Sequence, residues 1–261
     1  MDFLFDIPLI LAGPLLVALL VGISVLGLHW FRKTQLPRLR FGDTDAEYSA
    51  AMVASIMVFY GLATALTAVN VWETNVRVEE ITKQEASSLA VLYRNVSEYP
   101  DPIGGVMREE IRTYTDQLIK KSWAQQRRGK IPTEGVRIMD QLHKTLVGFE
   151  PVTESQKVLA LETLASYDRM MEARRLRLDS VERKLPGVMW MVIILGAFIS
   201  LFSAYYFPVL DVRVHRAQIC LLATFIALVI FIILALDRPY RGDLGIKATP
   251  YEIAYEHLMK R

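Results

Sequence analysis

Four stretches of the chain, 7–31, 48–72, 185–210 and 217–236, contain no Asp, Glu, Lys or Arg. Each is about 20 to 26 residues long, enough for an α-helix to cross roughly 30 Å of hydrocarbon. They stand in two pairs separated by roughly 110 highly charged residues. The pattern predicts an all-α, polytopic membrane protein with four transmembrane helices. Residues 1–73 hold the first two spans and their loop, 74–184 a soluble helical stalk, 185–236 the last two spans, and 237–261 a C-terminal tail.

Apolar positions in the polar part recur at helical spacing. After Trp72 nothing breaks the second stretch, and Val78, Ile81, Leu89 and Leu92 keep one face apolar, so this helix runs on beyond the membrane. Val158, Leu161, Leu164, Tyr167, Met171 and Leu178 do the same on the helix leading to the third stretch, which Pro186 is expected to kink. Thr44 with Glu47, Thr153 with Gln156 and Thr249 with Glu252 fit capping boxes, and Asp101 before Pro102 fits an N-cap followed by proline at the first helical position. With Pro132, Gly148 and Pro151 as punctuation, helices are expected near 45–98, 102–127, 133–147 and 153–184.

Composition narrows the classes further. The net charge is +2, and Lys and Arg are spread along the chain rather than clustered, which gives no footprint for nucleic acid. Cys220, the only cysteine, lies inside the fourth apolar stretch, which excludes an intramolecular disulfide and a CxxC site. The first stretch follows Asp2 and Asp6 rather than Lys or Arg and exceeds a signal-peptide core, so it is read as a retained helix. Lys and Arg near the spans are more numerous on the side of the large polar region, including Arg174 and Arg177, but denser in the short loops. Charge alone leaves both orientations standing.

No catalytic constellation emerges, and the chain is read as a non-enzyme without metal or cofactor. His29, His143, His215 and His257 have no His or carboxylate partner at i+3 or i+4 and are read as surface or interfacial side chains. Gly104 and Gly105 fit no phosphate-loop spacing. The second span is more informative. A wheel at 100° per residue gathers the small side chains of Gly61, Ala65 and Ala68 on a face suited to helix packing in a bilayer. Another side carries Phe59, Ala63, Leu66 and Asn70, then Arg77, passing from apolar through polar to charged. That gradient suits a pore with a hydrophobic constriction and a wet vestibule. It equally suits a lipid-facing helix whose polarity rises at the membrane boundary. Glu73, Glu79, Glu80 and Glu85 follow, as a pore mouth or as a solvated face with i,i+4 pairs. In LDRPYRGDL at 236–244, Pro239 and Gly242 end the last span, and Asp237, Arg238, Arg241 and Asp243 form a candidate interfacial pairing motif.

FYGLATALTAVNVWETN at 59–75, EASSLAVLYR at 85–94 and LDRPYRGDL together resemble the bestrophin-like domain family of bacterial membrane proteins. More distantly the chain is similar to the bestrophin ion channels. That resemblance implies four spans, termini and helical region in the cytoplasm of a bacterial inner membrane, and a homopentamer whose second span lines the pore. Matching Trp72 to the channels' tryptophan puts Phe59 and Ala63 at two neck positions. Ala63 is small where the channels are bulky, Asn70 and Val71 precede Trp72 where they have an arginine, and their acidic calcium clasp has no counterpart. The expected function is a homo-oligomeric ion channel with membrane lipid around it. The alternative is a non-conducting scaffold or sensor whose stalk binds a partner, with positions such as 112–121 exposed for it.

Overall fold

The computed structural model describes residues 8–38, 43–207, 209 and 211–260, without the side chains of 43–46. Among these the chain is helical, with no strand: α1 (Leu9–Thr34), α2 (Asp43–Ser97), α3 (Ile103–Gln117), α4 (Trp123–Arg127), α5 (Gly135–Val147), α6 (Glu154–Ser180), α7 (Gly187–Ala204), α8 (Val212–Leu236) and α9 (Thr249–Ala254). Four helices are long and apolar enough to cross a membrane, within Leu9–Arg38, Glu47–Ser97, Gly187–Ala204 and Val212–Leu236. Two compact units form, one of Met1–Glu73 with Lys184–Arg238, the other of Thr74–Arg183 with Pro239–Arg261.

Helix ends separate sound local signals from misleading ones. Thr153 and Gln156 form the expected capping box, the Thr hydroxyl accepting from Gln156 N at 3.2 Å and the Gln side chain from Thr153 N at 3.3 Å. Asp101 does not cap: α3 starts after Pro102 without a side-chain cap, and Asp101 pairs with Arg108 at 3.1 Å. Thr249 is the first residue of α9 rather than its cap, with Ala248 preceding it. Pro186 ends the connection from α6 instead of kinking a continuous helix, because α6 stops at Ser180 and Pro186 is the N-cap residue of α7. Thr44, and the ends of the apolar stretches at Ile7 and Leu210, lie outside the described residues or side chains.

In the apolar unit, α8 buries Ile219, Ala223, Ile226, Ile230 and Ile233, a stripe spaced by three and four residues. Val71 of α2 and Ile193, Ala197 and Leu201 of α7 meet it. Gly196 is required there, since a Cβ on it would stand 2.6 Å from Tyr60 Cδ2. At the end of α1, Phe31 packs edge-on against Phe202 and Tyr206, and the Tyr205 hydroxyl donates to Ser24 O at 2.9 Å. His215 corrects the surface reading: it is buried, and Arg32 Nη1 donates to its Nδ1 at 3.0 Å and to Val209 O at 3.2 Å. Arginine only donates, so the imidazole proton sits on Nε2, 3.2 Å from Ala204 O.

The second unit is a helical module around the far half of α2. Val78, Thr82, Glu85, Leu89, Leu92 and Val96 of that helix are all fully buried. Met107, Ile111 and Tyr114 of α3, Met139 and Leu142 of α5, and Tyr167 and Met170 of α6 complete the core. Each large apolar side chain buried here contributes about 1.5–3 kcal/mol. Between α3 and α4 the helix widens into one π turn, Leu118–Ser122, after which Trp123 and Gln126 both point into the core. The segment expected as a C-terminal tail, 237–261, instead adds Tyr240, Tyr251 and Met259 to that core.

Candidate functional site

Within the apolar unit, α2 presents two unlike sides. Val53, Thr64, Thr67 and Val71 are buried, and the Thr hydroxyls are satisfied by the carbonyls of Tyr60 and Ala63 at 2.8 Å. Phe59, Ala63, Leu66 and Asn70 lie on the exposed side, Phe59 at 73 % and Leu66 at 63 % exposure. The remaining exposed side of α2 is also uncovered by its own chain. Gly61 and Ala65 are exposed, a Cβ on Gly61 would meet nothing within 4 Å, and only Ala68 packs partly against the bundle core. Gly61 and Ala65 therefore pack against no helix of their own chain among the described residues. Beside Ala63, Leu66 and Asn70 a groove of about 510 Å³ opens between α2 and the start of α7, floored by Leu185, Met189 and Ile193.

Beyond the span the acidic run of α2 divides. Glu73, Glu79 and Glu80 are exposed, with Glu79 in an i,i+4 pair with Lys83 at 2.7 Å. Glu85 belongs neither to a solvated face nor to a pore mouth; it is fully buried in the module and forks onto Arg177. Arg177 Nε donates to Glu85 Oε2 at 2.5 Å and Nη2 to Oε1 at 3.1 Å, a bidentate pair across α2 and α6. Tyr114 donates to Oε1 at 3.1 Å, Tyr251 to Oε2 at 3.0 Å, and the third guanidinium nitrogen donates to Gln126 Oε1 at 2.7 Å. Trp123 and Tyr251 stack about the guanidinium, 6.0 and 5.9 Å from their ring centroids. Burial alone would lower the pKa of Arg177, but the Glu85 carboxylate holds it above the ordinary arginine value. Burial and the same carboxylate push the Tyr114 and Tyr251 hydroxyls up. Arg177 and the 7 % exposed Arg174 are thus interior groups, not charges flanking a membrane.

The interfacial motif splits between the units. Asp237, at the end of α8, accepts from Leu185 N and so fixes the entry to α7. Arg238 is the last residue of that unit. In the module, Pro239 O accepts from Ile246 N at 2.9 Å, Gly242 takes the left-handed conformation at φ +72°, and Asp243 borders a shallow polar cleft before α9. Arg241 Nη2 donates to Arg128 O at 2.7 Å, and the Tyr240 hydroxyl lies 2.9 Å from Ser180 Oγ. The motif therefore does structural work on both sides of the boundary. The buried network escaped the sequence reading, although a signal was present: Glu85, Arg174 and Arg177 occupy positions in otherwise uncharged buried stripes.

The family model for the bestrophin-like domain matches residues 18–251. The matched stretch runs from α1 to Tyr251 and takes in every member of the buried network. No curated protein and no solved structure gives a significant match.

Proposed function

The chain belongs to the bestrophin-like family of membrane proteins, and from that premise we propose that it is an ion channel, a homo-oligomer with α2 around its axis. The observation that carries the reading is the uncovered side of α2. A span whose own bundle packs one side and leaves Phe59, Ala63, Leu66 and Asn70 open supplies a line from bulky apolar to polar toward the membrane boundary. In a ring that line makes a dewettable neck, and the small side chains of Gly61, Ala65 and Ala68 let neighbouring helices approach. By resemblance the ring is a pentamer in a bacterial inner membrane, with the helical module in the cytoplasm.

Reconstitution into planar bilayers tests the pore line. Phe59→Trp is expected to reduce unitary conductance and Asn70→Asp to raise the cation-to-anion permeability ratio. Conductance and selectivity unchanged by both substitutions would remove these residues from the pore. In cells, a membrane-impermeant maleimide should label Ser155→Cys in a Cys220→Ser background only after the inner membrane is permeabilised, and labelling of intact cells would contradict a cytoplasmic module. The second reading, a scaffold or sensor, draws on Val147, Val152, Val158 and Leu161, all exposed around the α5–α6 connection. It predicts no conductance.

A further inference from the structure

Among the described residues Arg174 of α6 is the other buried cation of the module, and its surroundings differ from those of Arg177. It is 7 % exposed, its Nε is buried without a hydrogen-bond partner, and no carboxylate pairs with it among the described residues. Its contact is with the Tyr114 ring, 5.9 Å from guanidinium carbon to centroid. A buried guanidinium N–H left without an acceptor favours an anion beside it. A second observation lies beside it. Arg174 Nη2 approaches the first residue of α5, 3.5 Å from where a Cβ on Gly135 would stand. That 13-residue helix has no side-chain cap. Of its first three N–H groups only that of Val136 has a backbone acceptor, Thr133 O at 3.1 Å. The nearest carboxylate in sequence, Glu134, is exposed and taken by Gln125 Nε2 at 2.6 Å.

We propose that the N-terminus of α5 and the Arg174 guanidinium form a binding site for a phosphate group in the helical module. The free N–H groups of Gly135 and Arg137 and the positive end of the helix dipole supply one wall, and Arg174 supplies the forked donor. The absent side chain of Gly135 makes room for the Tyr114 ring, 2.8 Å from where a Cβ would stand, so any anion meets the end of the helix rather than that side, and the exposed Arg137 adds charge at the rim. The site does not depend on the channel reading, since a phosphate-sensing module is equally compatible with a scaffold.

The experiment uses the full chain in detergent, at constant ionic strength, titrated separately with inorganic phosphate and with glycerol 3-phosphate. A saturable rise in Tm is expected, with affinity about tenfold weaker or lost in Arg174→Gln. A preference for the free ion identifies a soluble anion as the source, and a preference for the ester points to a headgroup or metabolite. Equal Tm responses in wild type and Arg174→Gln would overturn the proposal, because phosphate's general stabilising effect does not need that side chain. If Arg174→Gln does not fold, tungstate is soaked into the wild-type protein instead. Tungsten density against Arg174 and α5 supports the site, and its absence there rejects it.

Discussion

At the scale of single residues, the fold hinges on how the module tolerates a buried charge. Glu85 and Arg177 satisfy one another with two bonds, and Tyr114, Tyr251 and Gln126 take the remaining directions, so neither ion is left short. Arg177→Met leaves the Glu85 carboxylate with only two hydroxyl donors and is expected to destabilise the module by about 3–5 kcal/mol. Glu85→Leu with Arg177→Met should recover much of that loss, because no uncompensated charge remains. Chemical denaturation followed by tryptophan fluorescence checks both. A single-variant loss below about 0.5 kcal/mol would mean the pair is hydrated and idle. The pair was legible in part. Positions 78, 82, 85, 89, 92 and 96 alternate by four and three, as do 163, 167, 170, 174, 177 and 181, and a charged residue within such a stripe must be buried. Counting Glu85 among its acidic neighbours hid this, and no sequence pattern reveals which cation on another helix answers it.

Among elements, the helices themselves followed from apolar spacing, and α2, α5, α6, α7 and α8 lie within a few residues of expectation. The breaks were harder to read. Asp101 and Thr249 have capping chemistry, but one pairs with Arg108 and the other falls inside its helix. The C-terminal segment was the larger surprise, since nothing in 239–260 signals that Trp123 Nε1 will donate to Ile246 O at 3.2 Å and Glu85 will accept from Tyr251. Tyr114 of α3 and Tyr251 of α9 meet Glu85 of α2, and Tyr240, between α8 and α9, meets Ser180 of α6, all through hydroxyls whose pKa burial raises. A folded-state pKa above the unfolded value of about 10 gives stability that is whole below that pH. It is lost as pH rises beyond it, because the unfolded chain releases protons first. The Tm of the module should therefore fall steeply above about pH 10, and Tyr251→Phe should flatten the slope. A Tm as flat to pH 11 as it is at pH 8 would contradict this burial.

For the molecule as a whole, two features meet on α2. Its far half is locked into the module by a saturated polar network, and its near half offers the membrane an uncovered side with a polarity gradient. On the proposed reading the fixed end makes α2 a pillar for a ring, and its open side, bearing Gly61, Ala65 and Asn70, faces neighbouring copies rather than lipid. The most direct test is a cryo-electron microscopy structure of the detergent-purified protein, with the radius measured along its symmetry axis. The account predicts a ring of copies with α2 innermost and Phe59, Ala63, Leu66 and Asn70 facing a continuous axial path. A monomer or dimer, or a ring in which another helix lines the axis, would contradict it.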